Sequence, residues 1–153
     1  TIITLIEKEI LGTGGGLKNS KDYFSQDPFL LINADILTDA PLEKLIQSHN
    51  PKALATLAVL PLDPSDPYTP VAINEKKQIT GFGSGKHHYM GVMIGTTTLL
   101  EELPQTGQAC LVQDGLLPLL KKQKTIGSKI FHANWNDIGT PKRLEEAHAQ
   151  FLR

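Results

Sequence analysis

The stretch Pro28-Phe29-Leu30-Leu31-Ile32-Asn33-Ala34-Asp35 decides how the rest of the chain is read. Residues 29–32 are an unbroken apolar run, closed by Asn33 and Asp35. A run without polar alternation fits a strand covered on both faces, as in a parallel sheet. In open α/β sheets the ligand crevice lies beyond the carboxyl ends of the strands, so Asp35 stands where a functional carboxylate belongs.

Strand and helix signals alternate on both sides of this run. Residues 2–6 are short, apolar and rich in isoleucine, which predicts a strand. Gly12-Thr13-Gly14-Gly15-Gly16 predicts a loop, followed by a short helix to about Phe24. Asp39 is placed to cap a helix with Pro41 in its first turn and with Leu42, Leu45, Ile46 and His49 on one face. Residues 54–60 predict a second buried strand. Residues 71–73 and 78–82 predict a hairpin around residues 74–77, and residues 89–94 a strand interrupted by Gly91. Residues 109–122 predict a helix in spite of Gly115 and Pro118, and residues 125–132 a strand. Thr140 and Pro141 start a last helix that would bury Leu144, Ala147 and Phe151. The pattern predicts one three-layer α/β domain over residues 1–153, with a mostly parallel sheet and a small antiparallel hairpin.

Composition narrows the function. Of 153 residues, 40% are hydrophobic and 20% charged, as expected of a chain that buries a real core. Fifteen Lys+Arg against 16 Asp+Glu leave a net charge of -1, which argues against nucleic-acid binding through a basic surface. A single cysteine, Cys110, excludes an intrachain disulfide framework and a Cys-based zinc cluster; beside Leu111 and Val112 it reads as core. No apolar run is long enough to span a membrane, and residues 1–6 lack the basic start of a secretory leader. A cytoplasmic location is the expectation.

Three groups of residues are candidates for chemistry. Glycines at 12, 14, 15 and 16 let backbone N–H groups approach a ligand, and a following helix start favours anions. The same glycines also suit a plain turn, and neither the dinucleotide nor the P-loop spacing is present. Asp35 could hold Mg²⁺, which takes few protein ligands and bridges to phosphate, or it could close a turn. Asp137, in Asn136-Asp137-Ile138-Gly139-Thr140-Pro141, could be a second carboxylate for the ion, or loop filler before the Thr140 cap. His87 and His88 are adjacent and point to opposite faces of a strand, so they do not readily share a metal.

Taken in order, Glu9-Ile-Leu-Gly-Thr-Gly-Gly-Gly-Leu17, Phe29-Leu-Leu-Ile-Asn-Ala-Asp35 and Trp135-Asn-Asp-Ile-Gly-Thr-Pro141 resemble the sugar-1-phosphate nucleotidyltransferase family. Tyr89-Met-Gly-Val-Met-Ile94 and Asp114-Gly-Leu-Leu-Pro-Leu-Leu120 resemble its later segments. The style is that of N-acetylmuramate-1-phosphate uridylyltransferases and mannose-1-phosphate guanylyltransferases. The resemblance implies Mg²⁺-dependent transfer of a nucleotidyl group from an NTP, UTP or GTP, to a sugar 1-phosphate in cell-wall or polysaccharide precursor synthesis. It implies nucleotide binding by Gly12, Thr13, Gly14 and Gly15. It also implies sugar-phosphate contacts at Asn33 and Gly91, and a catalytic metal pair, Asp35 and Asp137.

Two of the family's elements have no match. One is its Gly-rich, Arg-containing turn with a later Pro-Lys pair, which cradles the triphosphate. The other is its Glu-Lys-Pro segment, where Gly83-Ser-Gly-Lys-His-His88 stands instead. The chain therefore reads as a C-terminal portion of such a domain, inactive alone, that pairs with itself or with an N-terminal piece. Two alternatives remain: a glycosyltransferase of related architecture, for which Asn33-Ala34-Asp35 is half of an Asp-x-Asp motif, and a degenerate domain that only binds a nucleotide sugar.

Overall fold

The computed structural model describes residues 1–24, 28–105 and 107–151, with side chains to residue 149. Five helices and eight strands are described in chain order: α1 (Gly12–Asn19), β1 (Phe29–Ile32), β2 (Ile36–Thr38), α2 (Leu42–Ser48), β3 (Ala55–Pro61), β4 (Pro70–Ile73), β5 (Ile79–Phe82), β6 (His87–Gly95), α3 (Thr97–Glu102), α4 (Leu117–Lys121), β7 (Ile126–Ile130), β8 (Trp135–Asp137) and α5 (Pro141–Phe151). A 3₁₀ turn, Lys21–Tyr23, follows α1, and a π-helical segment, Leu111–Leu116, leads into α4.

The main sheet has the order β5-β4-β6-β3-β7, with β1 also on β6. It is mixed and mostly antiparallel, not mostly parallel: among the described strands only β3 and β7 run parallel. The cause of the misreading is visible in β3, buried from Ala55 to Leu60. An apolar run reports that both faces of a strand are covered and says nothing about the direction of its neighbours. Alternate β3 residues feed two cores. Ala55, Leu57 and Val59 join Leu17, Leu99, Leu100, Leu116 and Leu119 on one face. Ala58 and Leu60 join Leu45 of α2 and Phe131 on the other. Helices thus cover both faces of the sheet.

Other expectations are corrected. Residues 2–6 form no strand, and Ile2, Ile3 and Ile6 are exposed. β1 is not covered on both faces: Phe29 is buried, while Leu30 and Ile32 are 39% and 48% exposed. Asp39 does not cap α2; its carboxylate accepts Asn134 N at 2.9 Å and Asn134 Nδ2 at 2.6 Å, tying β2 to the approach to β8. On α2, Leu45 is buried and Ile46 exposed. The predicted helix over 109–122 is split by the π-helical segment. The β4–β5 hairpin forms around residues 74–77 as its sequence dictates, closed by Lys77 N to Asn74 O at 2.9 Å. Thr140 Oγ1 accepts Arg143 N at 3.3 Å, which caps α5. Of the face assigned to α5, Ala147 is buried and Leu144 half exposed; the Phe151 side chain lies outside the described residues.

The Gly-rich stretch is the start of α1 rather than a loop. Gly14 N and Gly15 N both donate to Ala109 O, at 3.0 and 3.3 Å. A Cβ on Gly14 would stand 3.0 Å from that oxygen, and one on Gly15 2.8 Å from Gly107 O. The helix runs so close to residues 107–111 that only glycine fits there.

Candidate active site

A two-stranded ribbon brings the two predicted carboxylates together. β2 and β8 pair antiparallel with Ile36 opposite Asp137, and Ile138 N donates to Asp35 O at 2.8 Å. The backbone of the β8–α5 turn then folds between the side chains. A Cβ on Gly139 would lie 2.9 Å from Asp35 Oδ2 and 3.1 Å from Asp137 Oδ1. The two carboxylates therefore flank the same small space, which the missing side chain of Gly139 leaves open. Asp137 Oδ1 accepts Gly139 N at 2.9 Å, and its Oδ2 accepts Arg143 Nη1 at 2.7 Å.

Two oxygens converging on a cradle of this kind fit a divalent ion of the Mg²⁺ type, which takes one or two carboxylates and completes its shell with water and phosphate. Among the described residues no three His, Cys, Asp or Glu side chains converge on a metal position.

Concave surface lies on either side of the pair. On the α1 side, one cavity is lined by Gly12, Thr13, Leu31, Asn33 and Asp35, and it shares Gly12, Thr13 and Asn33 with a second of about 580 Å³ that reaches Tyr89, Cys110 and Asp114. On the other side, a cavity of about 780 Å³ is lined by Tyr68, His88, His132, Trp135, Asp137 and Arg143. Its wall is an aromatic cluster. Tyr68 stacks on His88 with centroids 4.8 Å apart, and Trp135 meets both edge-on. Trp135 Nε1 donates to Met90 O at 2.9 Å, which fixes the indole. Burial holds the His88 imidazole below its ordinary pKa, so it is neutral at pH 7. Burial also raises the Tyr68 phenol, partly offset by Arg143.

The predicted residues divide between these places. Asn33 and Gly91 are adjacent: Asn33 N donates to Gly91 O at 2.9 Å, and a Cβ on Gly91 would meet Asn33 Nδ2 at 3.1 Å. Gly91 itself is buried at φ +78°, a kink in β6, and Asn33 opens on the α1-side cavities. Gly12 and Thr13 line those cavities, whereas Gly14 and Gly15 are buried and their N–H groups are spent on Ala109. Cys110, expected in the core, is exposed and lines the same cavity. Sequence reasoning weighed His88 only as a metal ligand and missed Tyr68 and Arg143. Tyr68 arrives from the loop before β4 and His88 from β6, both far in sequence from Trp135 and Asp137.

Comparison with known proteins matches the chain to one family. Residues 1–153 match the Nucleotidyl transferase family throughout. The chain belongs to that family. Among curated relatives it is 27% identical over 159 residues to "Probable mannose-1-phosphate guanylyltransferase 3" of Arabidopsis thaliana, covering 95% of this chain and 47% of the relative. It is 26% identical over 150 residues to the mannose-1-phosphate guanyltransferase of Candida albicans, covering 90% and 40%. The chain thus spans less than half the length of these relatives. Among solved structures, HddC from Yersinia pseudotuberculosis, complexed with GMP-PN, superposes with a TM-score of 0.80 at 24% identity, covering 96% of this chain and 65% of that one. The inositol-1-phosphate CTP transferase from T. maritima superposes with a TM-score of 0.76 at 21% identity, covering 92% and 60%. These superpositions show the α/β nucleotidyltransferase fold.

Proposed function

We propose that this chain carries the metal-binding and sugar-phosphate portion of a nucleotidyl transfer, in which a sugar 1-phosphate attacks the α-phosphorus of UTP or GTP and releases pyrophosphate. The carrying observation is the position of Asp35 and Asp137, which flank one small space with a cavity on either side. A reaction that joins two phosphorylated substrates needs its charge-neutralising group between them.

Asp35 and Asp137 would hold the Mg²⁺. When bound, the ion would supply charge neutralisation at the α-phosphate and at the attacking oxygen. The residues themselves do the positioning. Gly12 and Thr13 border the nucleotide side, with Gly14 and Gly15 keeping α1 against residues 107–111 behind them. Asn33 reaches the phosphate region from the end of β1, held there by its bond to Gly91. Trp135 offers an aromatic surface to the apolar side of a sugar ring, with Tyr68, stacked on His88, beside it. The bond formed is from the sugar phosphate oxygen to the α-phosphorus; the bond broken is that to the β-phosphate. No strong base is required, because the attacking phosphate is already ionised.

The 153 residues contain no Gly-rich, Arg-containing turn, so on this reading they do not turn over alone. β1 is paired only with β6 among the described strands, so its free edge would take a strand from a second copy or from polypeptide beyond these residues.

The test is uptake of Mn²⁺, read by electron paramagnetic resonance of the free ion, together with pyrophosphate release from UTP or GTP and mannose 1-phosphate. Asp35→Asn and Asp137→Asn are expected to weaken Mn²⁺ binding at least about tenfold, the scale of losing a ligand or its support. Unchanged binding in both variants sinks the assignment of the pair. Pyrophosphate release by the chain alone removes the need for a partner segment. Transfer of the sugar to an acceptor would mark a glycosyltransferase instead.

A further inference from the structure

Arg143 stands in the first turn of α5, and its guanidinium is held from two sides. Nη1 donates to Asp137 Oδ2 at 2.7 Å, and the guanidinium lies over the Tyr68 ring at 6.0 Å from its centroid. Tyr68 is in turn fixed by its stack on His88 and its edge contact with Trp135. Asp137 is thus shared: Oδ1 shares the Gly139 cradle with Asp35 Oδ2, and Oδ2 belongs to Arg143. Two carboxylates this close repel each other, and a guanidinium on one of them offsets that repulsion. The ion pair is open to water, with the side chains of Arg143 and Asp137 38% and 22% exposed. An open pair of this kind contributes about 1 kcal/mol or less, so a divalent ion can displace it.

We propose that Arg143 is a resident counter-cation of the acidic pair. It occupies Asp137 in the free protein and competes with the divalent ion for that carboxylate. Once released, it turns to the phosphate of the sugar 1-phosphate in the cavity it lines. This rests on the metal assignment above and goes beyond it, because it makes metal uptake and phosphate capture two states of one side chain. A guanidinium suits the second role, since it meets two phosphate oxygens with parallel N–H groups. The exchange makes and breaks only hydrogen bonds and ion pairs.

Mn²⁺ titrations of the wild type, Arg143→Met, Arg143→Gln and Arg143→Lys at one ionic strength test it, with thermal melts to confirm folding. Both neutral variants are expected to bind Mn²⁺ roughly three- to fivefold more tightly than the wild type, the equivalent of one half-exposed ion pair. Arg143→Lys is expected to stay near the wild type. With Mn²⁺ at saturation, mannose 1-phosphate is expected to bind the neutral variants more weakly than the wild type. A neutral variant with unchanged or weaker Mn²⁺ binding overturns the inference, as does unchanged mannose 1-phosphate binding. The doubly substituted Asp35→Asn, Asp137→Asn chain separates the levels. If it takes up Mn²⁺ like the wild type, the metal assignment falls and the inference with it. If it loses Mn²⁺ while Arg143→Met fails to gain, only the inference falls.

Discussion

β3 and β1 are both apolar runs, and their surroundings are opposite. β3 is hydrogen-bonded on both edges, to β6 and β7, and is buried from Ala55 to Leu60. β1 is bonded on one edge, to β6, and leaves Leu30 and Ile32 half exposed. Nearby, residues 2–6 expose three isoleucines and form no strand. The composition of a strand therefore does not say whether its chain supplies the cover. In β3 the cover comes from α2, α3 and α4 of this same chain; at β1 the described residues leave one face open.

The contrast can be broken by substitution. Leu57→Ala, at a fully buried site in β3, is expected to cost about 2–5 kcal/mol in urea unfolding. A loss under 1 kcal/mol would mean that the centre of the sheet is as loose as its edge. Tyr89→Phe is next in size. Its hydroxyl is buried without a hydrogen-bond partner among the described residues, and burial pushes the phenol's pKa up. Removing that hydroxyl is expected to raise stability by about 1 kcal/mol, because an unpaired buried polar group is costly. A drop in stability would reveal a partner for the hydroxyl. Leu30→Lys is the smallest in energy, within about 0.5 kcal/mol in the isolated chain. It is expected to abolish concentration-dependent association seen by light scattering if β1's edge is the contact. Association that persists unchanged would place the contact elsewhere.

The same contrast explains what could be read from sequence. The nearness of Asp35 and Asp137 was legible because each was read at the end of a strand; the structure brings them together through the β2–β8 ribbon. Thr140 and the hairpin at residues 74–77 were legible because caps and turns are local. Strand direction was not legible, because burial on both faces is shared by parallel and antiparallel centres. The glycines of α1 were misread as a loop because their reason for being glycine is the Ala109 carbonyl, far along the chain. Arg143 escaped notice for a similar reason: its meaning lies in Tyr68 and Asp137, and only the second is near it in sequence.

The ribbon of β2 and β8 has a consequence for how the protein is made. Thr38 and Asn134, bonded through the Thr38 hydroxyl, are 96 positions apart. Closing so long a loop comes late in folding, after the local helices and hairpin have formed. During synthesis on the ribosome, Asp35 emerges long before Asp137, and until then the first carboxylate stays in water without its mate. On the metal assignment proposed above, ion uptake is expected only in nascent chains long enough to free β8 from the exit tunnel.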